Sequence, residues 1–222
     1  MSETQITDWN PGAYARFRGL RLRPALDLLA QVADLPEGDV VDLGCGDGAV
    51  AGALRLRFAA ARKGAGRRLI GVDSSAAMLA EARGYDAVVR ADIGRWTPDA
   101  PPALIFSNAA LHWLADHETL FPRLIGLLAP NGVLAVQMPR QIFAPSHRFL
   151  RDIAAAMFPD RFDFTGYHPP VFQASVYYGL LCPLGTVNAW ETEYIQHLEP
   201  VSEATRCAPL PPRRRCGRLR TS

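Results

Sequence analysis

Six residues have types and spacing suited to gripping a ligand by its polar atoms. Gly44, Gly46 and Gly48 take every second position in "VVDLGCGDGAVAGAL" (40–54), and Asp42, Asp73 and Asp92 stand around them in sequence. The glycine run begins β-branched and ends helix-forming. A ligand can therefore approach its main chain, and the N–H groups at a helix start can donate to it. Alone, such a loop is a weak signal, since a tight strand-to-helix turn is its plain alternative. The acids add specificity. Asp42 ends the first apolar run, near where an amino group could lie. Asp73 closes "LIGVD", where a carboxylate can accept from both hydroxyls of a ribose. Asp92 closes "AVVRAD", where it could accept from an adenine amino group beside Ile93. Each acid taken singly is more readily a helix cap or a solvated turn than a ligand contact.

The elements that must position these residues follow a repeated unit. Between residues 40 and 138, short apolar runs alternate with helical periods: "VVDLG", "LIGVD", "AVVRAD", "ALIFSNA" and "GVLAVQM". The runs are apolar on both faces, as in a covered parallel sheet. Val50, Leu54 and Phe58 form one helical stripe; Leu120, Leu124, Leu127 and Leu128 form another. Ser74 and Ser75 are placed to cap "AAMLAEAR", and Gly84 to stop it. This alternation predicts a Rossmann-like α/β fold, a mostly parallel sheet with helices on both faces and right-handed crossovers. Ligands of such sheets lie at the carboxyl ends of the strands, beside the switch in strand order. Four segments are expected. Residues 1–34 form an N-terminal helical cap with Leu26, Leu29 and Ala30 facing inward, and 35–139 form the ligand-binding core. Residues 140–205 supply covering helices, loops and an edge strand at "VNAWETEYIQ" (187–196), and 206–222 are a disordered Arg/Pro-rich tail.

Bulk composition narrows the class. The 222 residues are 49% hydrophobic and 21% charged, an ordinary globular balance. No apolar run is long enough to span a bilayer and the N-terminus lacks a signal core, so no membrane association and a cytoplasmic location are expected. Four cysteines at irregular spacings, with no CxxC pair, argue against a structural metal and a disulfide framework. The tail "RCAPLPPRRRCGRLRTS" carries six arginines and no acid, which outweighs the whole-chain charge of +2 and leaves residues 1–205 at −4. Nucleic-acid binding is therefore not expected. A monomer is the default.

Three acids at successive strand ends suit a nucleoside with a cationic tail rather than a pyrophosphate. S-adenosylmethionine, with its ammonium and sulfonium groups, is such a molecule. Gly44-x-Gly46-x-x-Ala49 also satisfies a relaxed dinucleotide fingerprint. However, Lys63 is the only lysine and falls in a polar connection, so a dehydrogenase relying on a catalytic lysine has no candidate.

"DLGCGDG", "GVDSSAAMLAEAR", "ADIGRW" and "LIFSNAALHWL" resemble the class I S-adenosylmethionine-dependent methyltransferases. "DWNPGAYARF" and "HETLFPRLIGLLAPNGVLAVQMP" narrow the resemblance to the trans-aconitate 2-methyltransferase family, over roughly residues 7–200. The resemblance implies methyl transfer from S-adenosylmethionine to a carboxylate of trans-aconitate or a similar small polycarboxylate. It also implies that Asp42, Gly44 and Gly46 hold the methionine part, and that Asp73 takes the ribose with Ser74 and Met78 beside it. Asp92 and Ile93 would then bracket the adenine, Asn108 line the reaction centre, and Trp9 and Tyr14 close over the cofactor. Asp47 departs from the small residue usual in that family's loop. After Ala204 the chain resembles none of the family's remaining helix and last strand, as a truncated or frame-shifted C-terminus would.

A polycarboxylate is ionised at neutral pH, so no general base is required and no catalytic acid–base residue is nominated. Arg140, His112, Trp113 and Arg148 are the candidates for holding the substrate, with His147 beside Arg148. Two alternatives stay open: a relative that binds the cofactor but is catalytically impaired, and a methyltransferase for another small-molecule acceptor.

Overall fold

The computed structural model describes residues 18–59, 67–162, 164 and 170–195. Trp9, Tyr14, Lys63 and the arginine-rich tail lie outside these residues. The chain divides into two compact units, Met1–Pro139 with Leu180–Gly185, and Arg140–Gly179 with Thr186–Ser222.

In the first unit the five apolar runs become β1 (Val40–Leu43), β2 (Leu69–Asp73), β3 (Ala87–Arg90), β4 (Leu104–Asn108) and β5 (Val133–Gln137). All pair in parallel, in the order β3-β2-β1-β4-β5. The order reverses between β1 and β4, so the carboxyl ends of these two strands flank the switch point. Central position and burial go together: every residue of β1 is buried, as are the first four of β4. β3 departs from the expectation of a fully covered run. Among the described residues it pairs only with β2, and all four of its residues are exposed, Val88 by 47%.

α1 (Arg18–Gln31) is a layer of this unit's core, where Ala25, Leu28, Leu29 and Val32 pack with Val40, Leu54, Leu104 and Phe106. The expected stripe of Leu26, Leu29 and Ala30 is out of phase, since Leu26 is 41% exposed and Ala30 is exposed. Both phases satisfy helical spacing and share Leu29; only the sheet surface chooses between them. α2 (Ala51–Leu54) runs into a π-helical turn, Arg55–Ala59, with Val50 and Leu54 buried and Phe58 against the same cluster.

α3 (Ala76–Glu81) starts where Ser75 Oγ accepts the Met78 N–H at 3.3 Å. It ends before Gly84, as Arg83 turns back onto the carbonyls of Ala80 and Ala82. Ser75→Ala should cost about 1 kcal/mol, the usual value of such a cap, read from urea unfolding. α4 (His117–Gly126) is capped by Asp116, which accepts the Thr119 N–H at 3.2 Å, and buries His117, Leu120, Phe121 and Leu124. Leu127 and Leu128 fall just past its end.

The second unit contains α5 (Pro145–Met157) and the start of α6 (Ala174–Leu181), which finishes in the first unit. Val171 and Tyr177 are its buried side chains, and the Phe172 N–H donates to Tyr177 Oη at 3.3 Å. The expected edge strand at 187–196 does not form over 187–195. Its large apolar residues stay largely in solvent, Trp190 being 43% and Ile195 88% exposed, and Glu191 is engaged in side-chain bonds.

Candidate functional site

The glycine loop leaves β1 and leans on β2, with the Gly44 and Cys45 N–H groups donating to the Val72 carbonyl at 2.7 and 3.0 Å. Gly44 has φ +84°, and a Cβ there would lie 2.2 Å from Ala110 Cβ and 3.3 Å from Ile93 Cδ1. The group against this bare backbone is thus a methyl of the segment after β4, where the sequence suggested a ligand. Gly48 is likewise filled by the Arg83 main chain, whose carbonyl oxygen would be 2.7 Å from an added Cβ. Gly46 differs from both. Among the described residues its Cβ position meets only the side-chain end of Met78, at 3.3 Å, so a ligand can approach the loop there.

Asp73 locks the loop to the end of β2. Its Oδ2 accepts the Gly46 N–H and its Oδ1 the Ser75 N–H, both at 2.9 Å. The side chain is half-buried, and each oxygen has lone-pair capacity beyond these bonds. Ser74 beside it is exposed. Asp92, two residues past β3, is exposed and accepts the Gly94 N–H at 2.8 Å. Ile93 reaches from this turn to Gly44, as the 3.3 Å approach records. The turn is tied to α4 by Arg123, which donates to the carbonyls of Trp96 and Ile93 at 2.9 and 2.7 Å.

Asp42 lies under the loop instead of at its surface. It is 2% exposed, and Tyr85 donates its O–H to Oδ2 at 2.6 Å. Burial pushes its carboxyl up to about 7, the charge of Asp73 adds to that, and the Tyr85 bond opposes it. Cys45 is buried beside them, its thiol pushed well up by burial and by both acids, and so is unreactive.

At the switch point, Ser107 Oγ donates to the Leu43 carbonyl at 2.7 Å, joining β4 to β1. Asn108 ends β4 with a buried Oδ1 that has no hydrogen-bond partner among the described residues. After Ala110 comes a 3-10 turn, Leu111–Trp113. His112 also holds a buried, unpartnered atom, Nδ1, and its pKa is lowered to about 4 by burial and then by His117, so the ring is neutral at pH 7. Trp113 lies 4.6 Å from the His112 ring and is 53% exposed.

The strand ends and their loops thus bring together Asp42, Gly44, Gly46, Asp73, Ser74, Met78, Asp92, Ile93, Asn108, His112 and Trp113. Arg140 and Arg148 belong to the second unit. Arg140 is not a bare cation there. It pairs with Glu191 at 3.1 Å, while the other Glu191 oxygen accepts the Ala174 N–H at 3.2 Å. Arg148 is exposed over the Phe149 ring, 5.1 Å from its centroid. Among the described residues no group of His, Cys, Asp or Glu is arranged to hold a metal, and no helix is long and apolar enough to cross a membrane.

Three residues of this region were not singled out by any sequence pattern, although Ala110 and Arg123 stand inside motifs quoted above. Ala110 is a small residue in an apolar run, Arg123 a helix-face charge, and Tyr85 a lone aromatic in a turn. Each matters through a partner distant in sequence.

Residues 14–181 match the family described as methyltransferase domain. The trans-aconitate 2-methyltransferase of Methylobacterium radiotolerans is 43% identical over 198 residues, 85% of this chain and 74% of that protein. The protein of the same name from Escherichia coli is 41% identical, over 87% and 74% of the two chains. Among solved structures, Haemonchus contortus phosphoethanolamine N-methyltransferase 2 in complex with S-adenosyl-L-methionine aligns with a TM-score of 0.51 and 22% identity. That alignment covers 68% of this chain and 38% of that one, a likeness of fold alone.

Proposed function

Because this chain belongs to the class I S-adenosylmethionine-dependent methyltransferases, in the family of the trans-aconitate 2-methyltransferases, we propose that it esterifies a carboxylate of trans-aconitate or a closely similar small polycarboxylate. The observation that carries the site assignment is the pair of buried, unpartnered atoms Asn108 Oδ1 and His112 Nδ1. They flank the Ala110 methyl that folds onto Gly44. Buried polar atoms are normally satisfied, so two orphans in one short segment point to a ligand as their partner.

The donor set suits the cofactor. Asp73 keeps acceptor capacity for two ribose hydroxyls, with Ser74 and Met78 beside it. Asp92 and Ile93 would bracket the adenine, and Gly46 offers the open stretch of loop to the methionine part, with Gly44 next to it. Asp42 supplies negative charge from beneath. Trp9 and Tyr14 remain proposed as closing residues from the N-terminal segment. When bound, the cofactor supplies an electrophilic methyl on a sulfonium.

The protein's own work is placement. A carboxylate nucleophile is already ionised at neutral pH, so no side chain has to remove a proton. Holding its oxygen close to the methyl and in line with the sulfur can supply about 7–11 kcal/mol of the barrier. His112, neutral at pH 7, can donate from Nδ1 in the tautomer that protonates it, with Trp113 as an adjoining wall. Arg140 and Arg148, in the second unit, stay candidates for the remaining carboxylates on residue type alone. Arg140 serves this way only if the substrate displaces Glu191 from it.

Incubation with S-adenosylmethionine and trans-aconitate should release S-adenosylhomocysteine and form a base-labile methyl ester. Turnover confined to hydroxyl or amine acceptors, with base-stable products, would overturn the assignment.

A further inference from the structure

Tyr85 lies outside every motif quoted above, yet it touches three parts of the cofactor loop's support. Its ring edge would meet a Cβ on Gly71 at 3.1 Å and one on Gly48 at 3.2 Å, so both glycines make room for it. Its hydroxyl donates to Asp42 at 2.6 Å. Asp42, two residues before Gly44, is 2% exposed, so whatever it contributes acts on a ligand without surface contact.

We propose that Tyr85 is a positioning residue that holds Asp42 as a carboxylate beneath the glycine loop, and that this buried charge grips the ammonium end of the cofactor through the loop. The inference rests on the cofactor assignment above and adds to it the residue that sets the strength of that grip.

The chemistry follows from the surroundings of Asp42. Among the described residues, the titratable groups acting on it are Tyr85 from the turn before β3 and Asp73 at the end of β2, while Asp42 in turn acts on Cys45 in the loop. None is a cation. Cys45 and Tyr85 both stay protonated, since burial pushes their ionisation up. Burial and Asp73 favour the protonated acid, and the Tyr85 hydroxyl is the opposing influence. Asp42 is therefore poised at about 7, and a bound cation draws it into the charged form. Affinity for an ammonium-bearing ligand should fall as pH drops through 7, because the proton competes with the ligand. Deleting the hydroxyl moves that fall to higher pH.

The test is calorimetric binding of three probes between pH 6 and 9. S-adenosylmethionine and S-adenosylhomocysteine both carry the ammonium; 5′-methylthioadenosine has the nucleoside and thioether without it. Tyr85→Phe should weaken the first two about tenfold at pH 7, and methylthioadenosine less than about twofold, the scale of one charge-assisted hydrogen bond. It should also move the pH midpoint up by about one unit. Asp42→Asn should flatten the pH dependence, and adding Tyr85→Phe to it should change nothing further. Equal weakening of all three probes would make Tyr85 merely structural and overturn the inference. So would an unshifted pH midpoint. Failure of the wild-type protein to bind either adenosyl amino acid would overturn the cofactor assignment itself, and this inference with it.

Discussion

Asp73→Ala is expected to weaken S-adenosylmethionine and S-adenosylhomocysteine alike, by about a hundredfold or more. The carboxylate accepts the Gly46 and Ser75 N–H groups and is proposed to accept two ribose hydroxyls as well. Hydrogen bonds to a charged group contribute about 1.5–3 kcal/mol each, so losing the two at the ribose exceeds a factor of one hundred. Asp73→Asn separates loop support from ligand contact. It can turn its oxygen to one backbone N–H but then presents its amide donors to the other. Its affinity should fall between wild type and alanine. Calorimetry beside urea unfolding distinguishes the effects: a variant that folds normally but binds within about threefold of wild type would remove Asp73 from the site.

Gly44→Ala should destabilise the protein by about 3 kcal/mol. A left-handed alanine costs about 1 kcal/mol, and overpacking a methyl into a filled space typically costs about 1–3 kcal/mol more. Here the new Cβ would lie 2.2 Å from Ala110 Cβ, at a backbone φ of +84°. The two causes can be separated. Ala110→Gly in the same chain should recover the packing part and leave the backbone part. Gly52→Ala is the contrasting case, since a Cβ there meets nothing within 4 Å on a helix; it should be neutral or stabilise by about 0.5–1 kcal/mol. Urea midpoints for the three variants provide the check. If Gly44→Ala proved as mild as Gly52→Ala, the contact between the β1 and β4 loops would not exist as described.

Periodicity and residue type determined much here. Uninterrupted β-branched runs separated by helical periods permit only a parallel α/β sheet, because each backbone must pair and each apolar face must be covered. That requirement sets the five strands, and it sets Asp73, Asp92 and Asn108 at or just past the strand ends where such sheets take ligands. Glycines at alternate positions marked the loop correctly as a place of close approach. What approaches was not legible, since Ala110 and Arg83 come from elsewhere in the chain. The same holds wherever a choice depends on a distant partner. The phase of α1 is chosen by the sheet it lies against, and Glu191 meets Arg140 across 51 residues of chain, in the stretch where alternation had suggested a strand. Asp42 reads in sequence as one more surface acid at a strand end. Its burial, its bond to Tyr85 and its poise near neutrality arise only from packing, because the energy of a charge depends on the medium around it and no local pattern encodes that medium.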